Sequence, residues 1–190
     1  MPQLVIGLGN PGGEYALTRH NVGWRCLDEL DRRGKFSRWR REGGSRVKEG
    51  SVEGYELVLA KPQTYMNLSG RAAVHLVSRY AVSPSDLIVV HDEIDLPLGR
   101  VQLKWSGGHA GNRGVRSLIE SLQTRDFTRV RIGVGRPPEW SDATEHVLDG
   151  FTPEERPIID EAVNRAADAV LLVARVGLED AMNVINRWAS

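Results

Sequence analysis

The sequence is poor in the features that mark secreted and membrane proteins. Its 190 residues include one cysteine, Cys26, so no disulfide can form within the chain, and we expect this side chain to fill the core. No apolar run approaches the roughly 18 residues of a membrane span. The N-terminus lacks the basic and then apolar layout of a signal peptide. We therefore expect a soluble, cytoplasmic protein with no membrane partner.

Net charge is absent as well, since 25 Lys and Arg residues balance 25 Asp and Glu residues. Nucleic-acid-binding domains are usually basic, so this balance alone argues against such a partner. The distribution is uneven, however. Residues 31–48 and 100–136 each carry eight basic residues against two acids, whereas residues 139–180 carry eleven acids against three arginines. The pattern predicts a basic and an acidic face, although residues 31–48 would equally suit an ordinary solvated surface.

Length and hydrophobic content limit the fold. A chain of 190 residues that is 41% hydrophobic is long enough for one well-buried core and too short for two comfortable domains. We predict strands at 3–8, 86–91, 99–105 and 129–134, with a hairpin over 45–60 that turns near Gly50 or Gly54. The predicted helices cover 21–33, 69–81, 111–123, 153–174 and 178–188. This alternation predicts a single α/β domain over residues 1–190, with a mixed, mostly parallel twisted sheet and helices on both faces.

The turn after the first strand is the most informative stretch of the sequence. Residues 3–8 have the pattern of a buried strand, and the letters GLGNPGG end it sharply. They also match the G-x-G-x-x-G of a dinucleotide-binding turn. Such a site needs a helix that starts inside the motif and an acid about 20 residues later, at the end of a second strand. Here the turn runs on to His20, and Asp28 falls inside the predicted first helix, so nucleotide binding is not indicated.

Polar clusters follow three further apolar stretches in the same way. These clusters are 61–70, 91–93 and 104–114. If the strands at 3–8, 55–60 and 86–91 lie side by side and parallel, the loops after them meet at one edge of the sheet. That edge would hold Asn10, His20, Asn67, Asp92 and the amides of residues 107–114.

These residue types suit hydrolysis by an activated water. An imidazole with a carboxylate partner can act as a general base, because the carboxylate fixes the tautomer and stabilises the imidazolium. Carboxamides can hold a water or a developing oxyanion without adding charge. Ser69 fits a helix cap better than a nucleophile, so direct attack by water is favoured over an acyl-enzyme. A single loop asparagine usually caps a turn, and only the combination points to chemistry.

Spacing argues against a metal site. None of the five histidines is spaced as H-x-x-x-H or H-x-H, and there is no cysteine cluster. The adjacent side chains of His91, Asp92 and Glu93 would alternate between the faces of a strand and could not chelate one ion together. We therefore expect no metal.

Four motifs in order resemble those of bacterial-type peptidyl-tRNA hydrolases. They are GLGNPGxxYxxTRHNxG from Gly7 to Gly23, KPxTYMNxSG from Lys61 to Gly70, HDExDLPxG from His91 to Gly99 and RIGVGRP from Arg131 to Pro137. The similarity is colinear from about residue 3 to residue 188. It implies hydrolysis of the ester that joins a blocked peptide to the 3′ end of tRNA. It also implies a monomeric cytoplasmic enzyme that needs no metal or cofactor.

The resemblance implies roles for particular residues in the reaction. His20 would be the general base and Asp92 its orienting partner, in agreement with the reasoning from residue types. Asn10 would sense the blocked amino group by bonding the peptide backbone of the substrate, or the water. Asn67 would position substrate or water, with Met66 packing beside it.

Further implied contacts concern the tRNA. Tyr15 and Tyr65 match positions that line the path of its 3′ end, where a ring can stack on a base, although both could simply pack the wall. Lys104 and Arg131 match positions where the family presents cations to the tRNA. Four more arginines could extend this basic patch: Arg100, Arg116, Arg129 and Arg136.

One turn departs from the family pattern. The usual G-G-H-N-G has asparagine before the final glycine, whereas here Arg113 holds that place and Asn112 precedes it. Either Asn112 reaches the same position through a shifted loop, or Arg113 replaces the amide with a charged donor. We prefer the second alternative, because the site must accept the phosphate-rich end of tRNA.

Two other functions compete with this interpretation. A non-catalytic RNA-binding protein on the same fold would keep the basic face, but it would not need the four residues at the predicted site together. A hydrolase of another ester or amide would keep the histidine and aspartate without the basic patch. The joint presence of both features favours the peptidyl-tRNA hydrolase.

Overall fold

The computed structural model describes residues 1–188, so the last two residues of the predicted 1–190 domain lie outside the description. The strands are β1 (Gln3–Gly7), β2 (Lys35–Phe36), β3 (Arg40–Glu42), β4 (Ser45–Val52), β5 (Tyr55–Pro62), β6 (Ile88–Glu93), β7 (Val101–Trp105) and β8 (Thr128–Gly133). The helices are α1 (Val22–Arg33), α2 (Ser69–Arg79), α3 (Arg113–Leu122), α4 (Ala143–Leu148), α5 (Arg156–Val176) and α6 (Leu178–Ile185).

All of these strands join one sheet in the order β2-β4-β5-β1-β6-β8-β7, with β3 paired to β4. The four central strands, β5, β1, β6 and β8, run parallel to one another. The pairs toward both edges are antiparallel. The predicted α/β class with a mixed sheet is therefore confirmed, and the three strands expected to lie side by side are neighbours.

Apolar side chains fill both faces of the sheet. One face packs against α1, α5 and α6 and includes Val5 and Val90. The other packs against α2 and α3 and includes Leu4 and Val89. Neighbouring strand residues point to opposite faces, so a strand that is covered on both faces needs an almost continuous apolar run. The central strands β1 and β6 have such runs, which explains their position.

The predicted elements differ from the observed ones mainly at their ends and in short pieces. The hairpin over 45–60 turns at Glu53 and Gly54, both with positive φ, while Gly50 lies inside β4. The helix predicted from residue 153 begins instead at Arg156, after a turn. The short elements β2, β3 and α4 were outside the prediction. Within the described part of the chain, the helices are too short or too polar to cross a membrane.

Candidate active site

A buried histidine and a buried aspartate meet at the carboxyl edge of the central strands. His20 lies in a 3₁₀ turn, Arg19–Asn21, just before α1, and Asp92 lies near the end of β6. Nδ1 of His20 is 2.8 Å from Oδ2 and 2.9 Å from Oδ1 of Asp92. The two residues are 7% and 2% exposed. Because Nδ1 is occupied by the carboxylate, Nε2 of His20 is the nitrogen that can take a proton.

A glycine lets the histidine approach the sheet. Gly23, in the first turn of α1, lies so close to the strands that a Cβ there would be 2.4 Å from the carbonyl oxygen of Val90. Any side chain would push α1 away from β6. The glycine therefore brings the turn with His20 against the strand that carries Asp92.

Charge and burial oppose each other at this pair. Burial lowers the pKa of His20, but the negative charge of Asp92 and its hydrogen bond outweigh burial and hold this pKa above the ordinary value of 6.5. Arg113 opposes Asp92 with a smaller effect. For Asp92, burial raises the pKa, and the contact with His20 more than offsets burial, so its pKa lies below the ordinary value. The carboxylate therefore stays charged and stabilises the imidazolium.

Two asparagines fix the glycine-rich turn beside His20. The side chain of Asn21 accepts from the backbone nitrogen of Asn10 at 2.9 Å and donates to its carbonyl oxygen at 3.0 Å. Oδ1 of Asn10 accepts from the backbone nitrogen of Met66 at 2.9 Å. These bonds orient Asn10 and leave its side-chain nitrogen without a partner among residues 1–188. Sequence reasoning missed the clamping role of Asn21, although the residue directly follows His20.

A cleft of about 320 Å³ opens at this edge of the sheet. It brings together nine of the residues that the sequence singled out: Asn10, Tyr15, His20, Tyr65, Met66, Asn67, Asp92, Asn112 and Arg113. Tyr65 and Asn67 are exposed, whereas Met66 is buried. The loops after β1, β5 and β6 thus meet as the parallel arrangement predicts.

The two neighbours in the glycine-rich turn before α3 point to different partners. Asn112 caps α3, and its side chain also donates to the backbone and the carboxylate of Asp92, both at 3.1 Å. Arg113 is exposed in the cleft wall and forms no ion pair with any of the described residues. Of these two neighbours, Arg113 is therefore the side chain that is available to a substrate.

The cations expected to face the tRNA lie outside the lining of the cleft. Arg131, on β8, donates to Glu93 at 3.3 Å and to Gln102. Lys104, on β7, is partly buried. Burial, and then the positive charges of Arg129 and Arg131, lower the pKa of Lys104. Positive charge is therefore concentrated on β7 and β8, beside the cleft.

Arg129 does not extend a surface patch, and that expectation is wrong. The residue is 1% exposed, because the glycine-rich turn before α3 folds over it. Its Nε donates to Nε2 of His91 at 3.0 Å, and its terminal nitrogen donates to the carbonyl oxygen of Gly108 at 2.6 Å. Burial, and then Arg131, lower the pKa of Arg129 to about 10.

Helix α4 is the largest part of the cleft that the sequence analysis missed. It contributes Thr144, Val147 and Leu148 to the lining. A signal was available, because Asp142 accepts from the backbone nitrogen of Thr144 at 2.7 Å and Glu145 follows three residues later, as in a capping box.

Arg19 connects the segment after α4 to the turn that holds His20. It donates to the carbonyl oxygen of Gly150 at 2.6 Å and to Glu155 at 2.9 Å. The backbone of Arg19 also bonds to Asp149 at 2.9 Å. The segment after α4 is therefore fastened next to His20 by charge-assisted bonds.

Fold and site together define a class of protein. It is an α/β protein in which parallel strands present a histidine–carboxylate pair and free amide groups to one cleft, an arrangement that can activate water. Residues 1–188 contain no group of three or more His, Cys, Asp or Glu side chains arranged to hold a metal ion.

Comparison with known proteins identifies the family. The family model described as Peptidyl-tRNA hydrolase matches residues 4–190. The peptidyl-tRNA hydrolase of Mycobacterium sp. (strain KMS) is 49% identical over 189 residues, which cover 99% of this chain and 98% of the relative. That of Mycobacterium tuberculosis (strain ATCC 25177 / H37Ra) is 47% identical, with 98% of both chains covered. The crystal structure of peptidyl-tRNA hydrolase from Acinetobacter baumannii is 34% identical, with a TM-score of 0.91 over 98% of this chain and 95% of that one. The chain belongs to the peptidyl-tRNA hydrolase family, as its four motifs predicted.

Proposed function

We propose that the chain hydrolyses the ester between a blocked peptidyl or aminoacyl group and tRNA, with His20 as the general base. Nε2 of His20 takes a proton from a water whose oxygen attacks the ester carbonyl carbon. The bond from that carbon to the 3′ oxygen then breaks, and His20 returns the proton to the leaving oxygen. The products are a free carboxylic acid and the 3′ hydroxyl of tRNA. The observation that carries the proposal is the buried contact between His20 and Asp92 at the cleft.

Amide groups supply the polar partners of the substrate. Asn10 is locked by Asn21 and Met66, and its free side-chain nitrogen is suited to donate to the peptide backbone or the water. Asn67 is exposed in the lining of the cleft and positions the substrate or the water. Neutral donors of this kind stabilise a developing oxyanion without changing the charge that surrounds the base. Family membership supports both assignments.

Aromatic and basic side chains receive the 3′ end of tRNA. Tyr15 and Tyr65 offer rings on which a base can stack, and the buried Met66 lines the same cleft. Arg113, which is exposed and unpaired within the described residues, contacts a phosphate there. Lys104 and Arg131 contact phosphates farther along the acceptor arm, outside the cleft.

We also propose that the chain acts as a monomer in the cytoplasm and forms one domain over residues 1–190. The family model, which matches residues 4–190, supports the domain. Light scattering coupled to size exclusion chromatography would check the monomer, since a dimer would double the expected mass.

The reaction is tested with N-acetyl-aminoacyl-tRNA and the matching free aminoacyl-tRNA, in the presence of EDTA. We expect cleavage of the blocked substrate alone and competition by uncharged tRNA. Equal cleavage of both substrates, or cleavage that uncharged tRNA does not inhibit, would indicate a hydrolase of other esters. Binding of tRNA without any cleavage would favour the RNA-binding alternative.

A further inference from the structure

The side chain of Asn112 forms hydrogen bonds with two different parts of the fold. It is the N-cap of α3, and its Oδ1 accepts from the backbone nitrogens of Gly114 at 3.0 Å and Val115 at 3.1 Å. Its Nδ2 donates to the carbonyl oxygen and to Oδ1 of Asp92, each at 3.1 Å. One side chain therefore connects the start of a helix to the carboxylate that holds His20.

The partners determine how the amide of Asn112 is oriented. A reversed amide would place its NH₂ group against two backbone N–H groups and its oxygen against a carboxylate. In the observed orientation, an asparagine that can form four hydrogen bonds forms all four within the protein. No hydrogen-bonding capacity of this side chain remains for tRNA.

The turn that precedes Asn112 is held at a second point by Arg129 on β8, which in turn contacts β6. The carbonyl oxygen of Gly108 accepts from Arg129, and Arg129 also donates to His91, the residue before Asp92. Between these anchors, Ala110 and Gly111 have positive φ. Non-glycine residues rarely adopt this conformation unless surrounding contacts stabilise it. The two anchors therefore place Asn112 in a defined position against Asp92.

We propose that Asn112 is a positioning residue, which orients the Asp92 carboxylate toward His20 through Nδ2 and does not bind the substrate. Oδ1 of Asp92 then has two donors, His20 and Asn112. A carboxylate with two fixed donors cannot rotate freely, so the imidazole it holds keeps its orientation in the cleft. The kinetic part of this inference rests on the proposed function, whereas the part that concerns Asp92 does not.

A matched series of variants separates capping from positioning. Asn112→Ser keeps an N-cap acceptor but is too short to reach Asp92, whereas Asn112→Ala loses both contacts. We expect kcat to fall about tenfold in both variants, because each loses a hydrogen bond to a charged group, while KM stays unchanged. The melting temperature should fall in Asn112→Ala and stay near that of the wild type in Asn112→Ser.

A third variant changes the charge and keeps the cap. Asn112→Asp places a second carboxylate against Asp92, and the added negative charge should raise the pKa of His20. The low-pH limb of the kcat profile should then move to higher pH. The free protein gives the same information by NMR titration of the His20 ring.

Titration of the free enzyme separates this inference from the proposed function. Carbon-13 NMR of the Asp92 carboxyl group, in protein without substrate, should show a higher pKa in both Asn112→Ser and Asn112→Ala, because the charged form has lost a donor. A wild type that fails to cleave peptidyl-tRNA would refute the proposed function and leave this result interpretable. An unchanged Asp92 pKa with wild-type kcat in Asn112→Ser would overturn the inference. So would a raised KM with unchanged kcat, which would make Asn112 a tRNA contact.

Discussion

At the scale of single residues, the rate of the proposed reaction depends on the protonation state of His20. A general base works in its neutral form, so the rate should fall as the pH drops through the pKa of His20. Asp92 holds that pKa above 6.5, against the effect of burial. The charge of one carboxylate therefore determines both the orientation of the base and the pH at which it becomes active.

The variant Asp92→Asn removes that charge and keeps the size of the side chain. The pKa of His20 should fall, because burial is then opposed by a much weaker partner, and the low-pH limb of kcat should move to lower pH. The plateau rate should also fall, by about 10²- to 10⁴-fold, since the imidazolium is no longer stabilised. A pH–rate profile measures both effects, with Asp126→Asn, at an exposed site, as the control. A limb that moves to higher pH would contradict the assignment.

Arg113 affects the same base with the opposite sign. Its positive charge lowers the pKa of His20, so Arg113→Ala should shift the low-pH limb of kcat to higher pH. The variant should also raise KM, because an exposed cation in the cleft wall is lost from the phosphate-rich end of tRNA. The check is a set of Michaelis curves across pH, with Arg175→Ala, an exposed site in the last turn of α5 and outside the lining of the cleft, as the control. Wild-type turnover and affinity in Arg113→Ala would rule out its proposed role.

At the scale of elements, α2 and α3 pack closely because a glycine lies between them. A Cβ on Gly70 would be 2.1 Å from the carbonyl oxygen of Ser117 in α3. The backbone nitrogen of Gly70 also donates to the Ser117 hydroxyl at 2.9 Å. Asn67 lies in the turn just before α2 and Arg113 is the first residue of α3, so the spacing of the two helices separates two residues that line the cleft.

We therefore expect Gly70→Ala to destabilise the fold by about 1–3 kcal/mol, since the clash is with backbone and cannot be relieved by rotating a side chain. Alanine's better helix propensity offsets part of this cost. Urea denaturation of Gly70→Ala and of Gly13→Ala measures the effect, because a Cβ on Gly13 has no neighbour within 4 Å. A Gly70→Ala variant as stable as the wild type would show that the helices can separate freely.

The sequence predicts the helices and strands well where the hydrophobic pattern is long and involves neighbouring residues. Continuous apolar runs identify β1 and β6 as central strands, and the polar residues after them identify the edge at which His20 and Asp92 meet. The short helix α4 has a capping signal but too few residues for a hydrophobic period. The burial of Arg129 depends on a turn that contacts it through Gly108, 21 residues away in sequence, which no local pattern reveals.

At the scale of the whole molecule, the two basic segments, residues 31–48 and 100–136, differ in how their cations are paired. In residues 31–48, Arg33 pairs with Glu29 and Asp168, Arg40 with Glu49, and Lys48 with Asp31. These ion pairs, one of which reaches Asp168 on α5, neutralise part of the positive charge of that segment. Arg129 and Arg131 on β8 also pair with Glu93, whereas Lys104 on β7 forms no ion pair within residues 1–188 and is the better candidate for a phosphate contact.

Charge reversal tests this difference between the segments. Lys104→Glu should raise KM with little change in kcat, and it should reduce the salt dependence of binding by about one unit of log K per log unit of salt. Lys35→Glu makes the same change in net charge on β2, at the opposite edge of the sheet, and should leave KM close to that of the wild type. Titrations of uncharged tRNA at several salt concentrations provide the slopes. Equal effects of the two reversals would mean that only net charge matters.

The central claim is that His20 activates the water that cleaves the ester, and the most direct test is a single-turnover rate. Saturating enzyme would be mixed with N-acetyl-aminoacyl-tRNA in EDTA, for the wild type, His20→Ala and His75→Ala, whose histidine is exposed and lies on the outer surface of α2. We predict that His20→Ala loses about 10²- to 10⁴-fold in rate while it still binds tRNA, and that His75→Ala matches the wild type. A rate for His20→Ala close to that of the wild type would contradict the account.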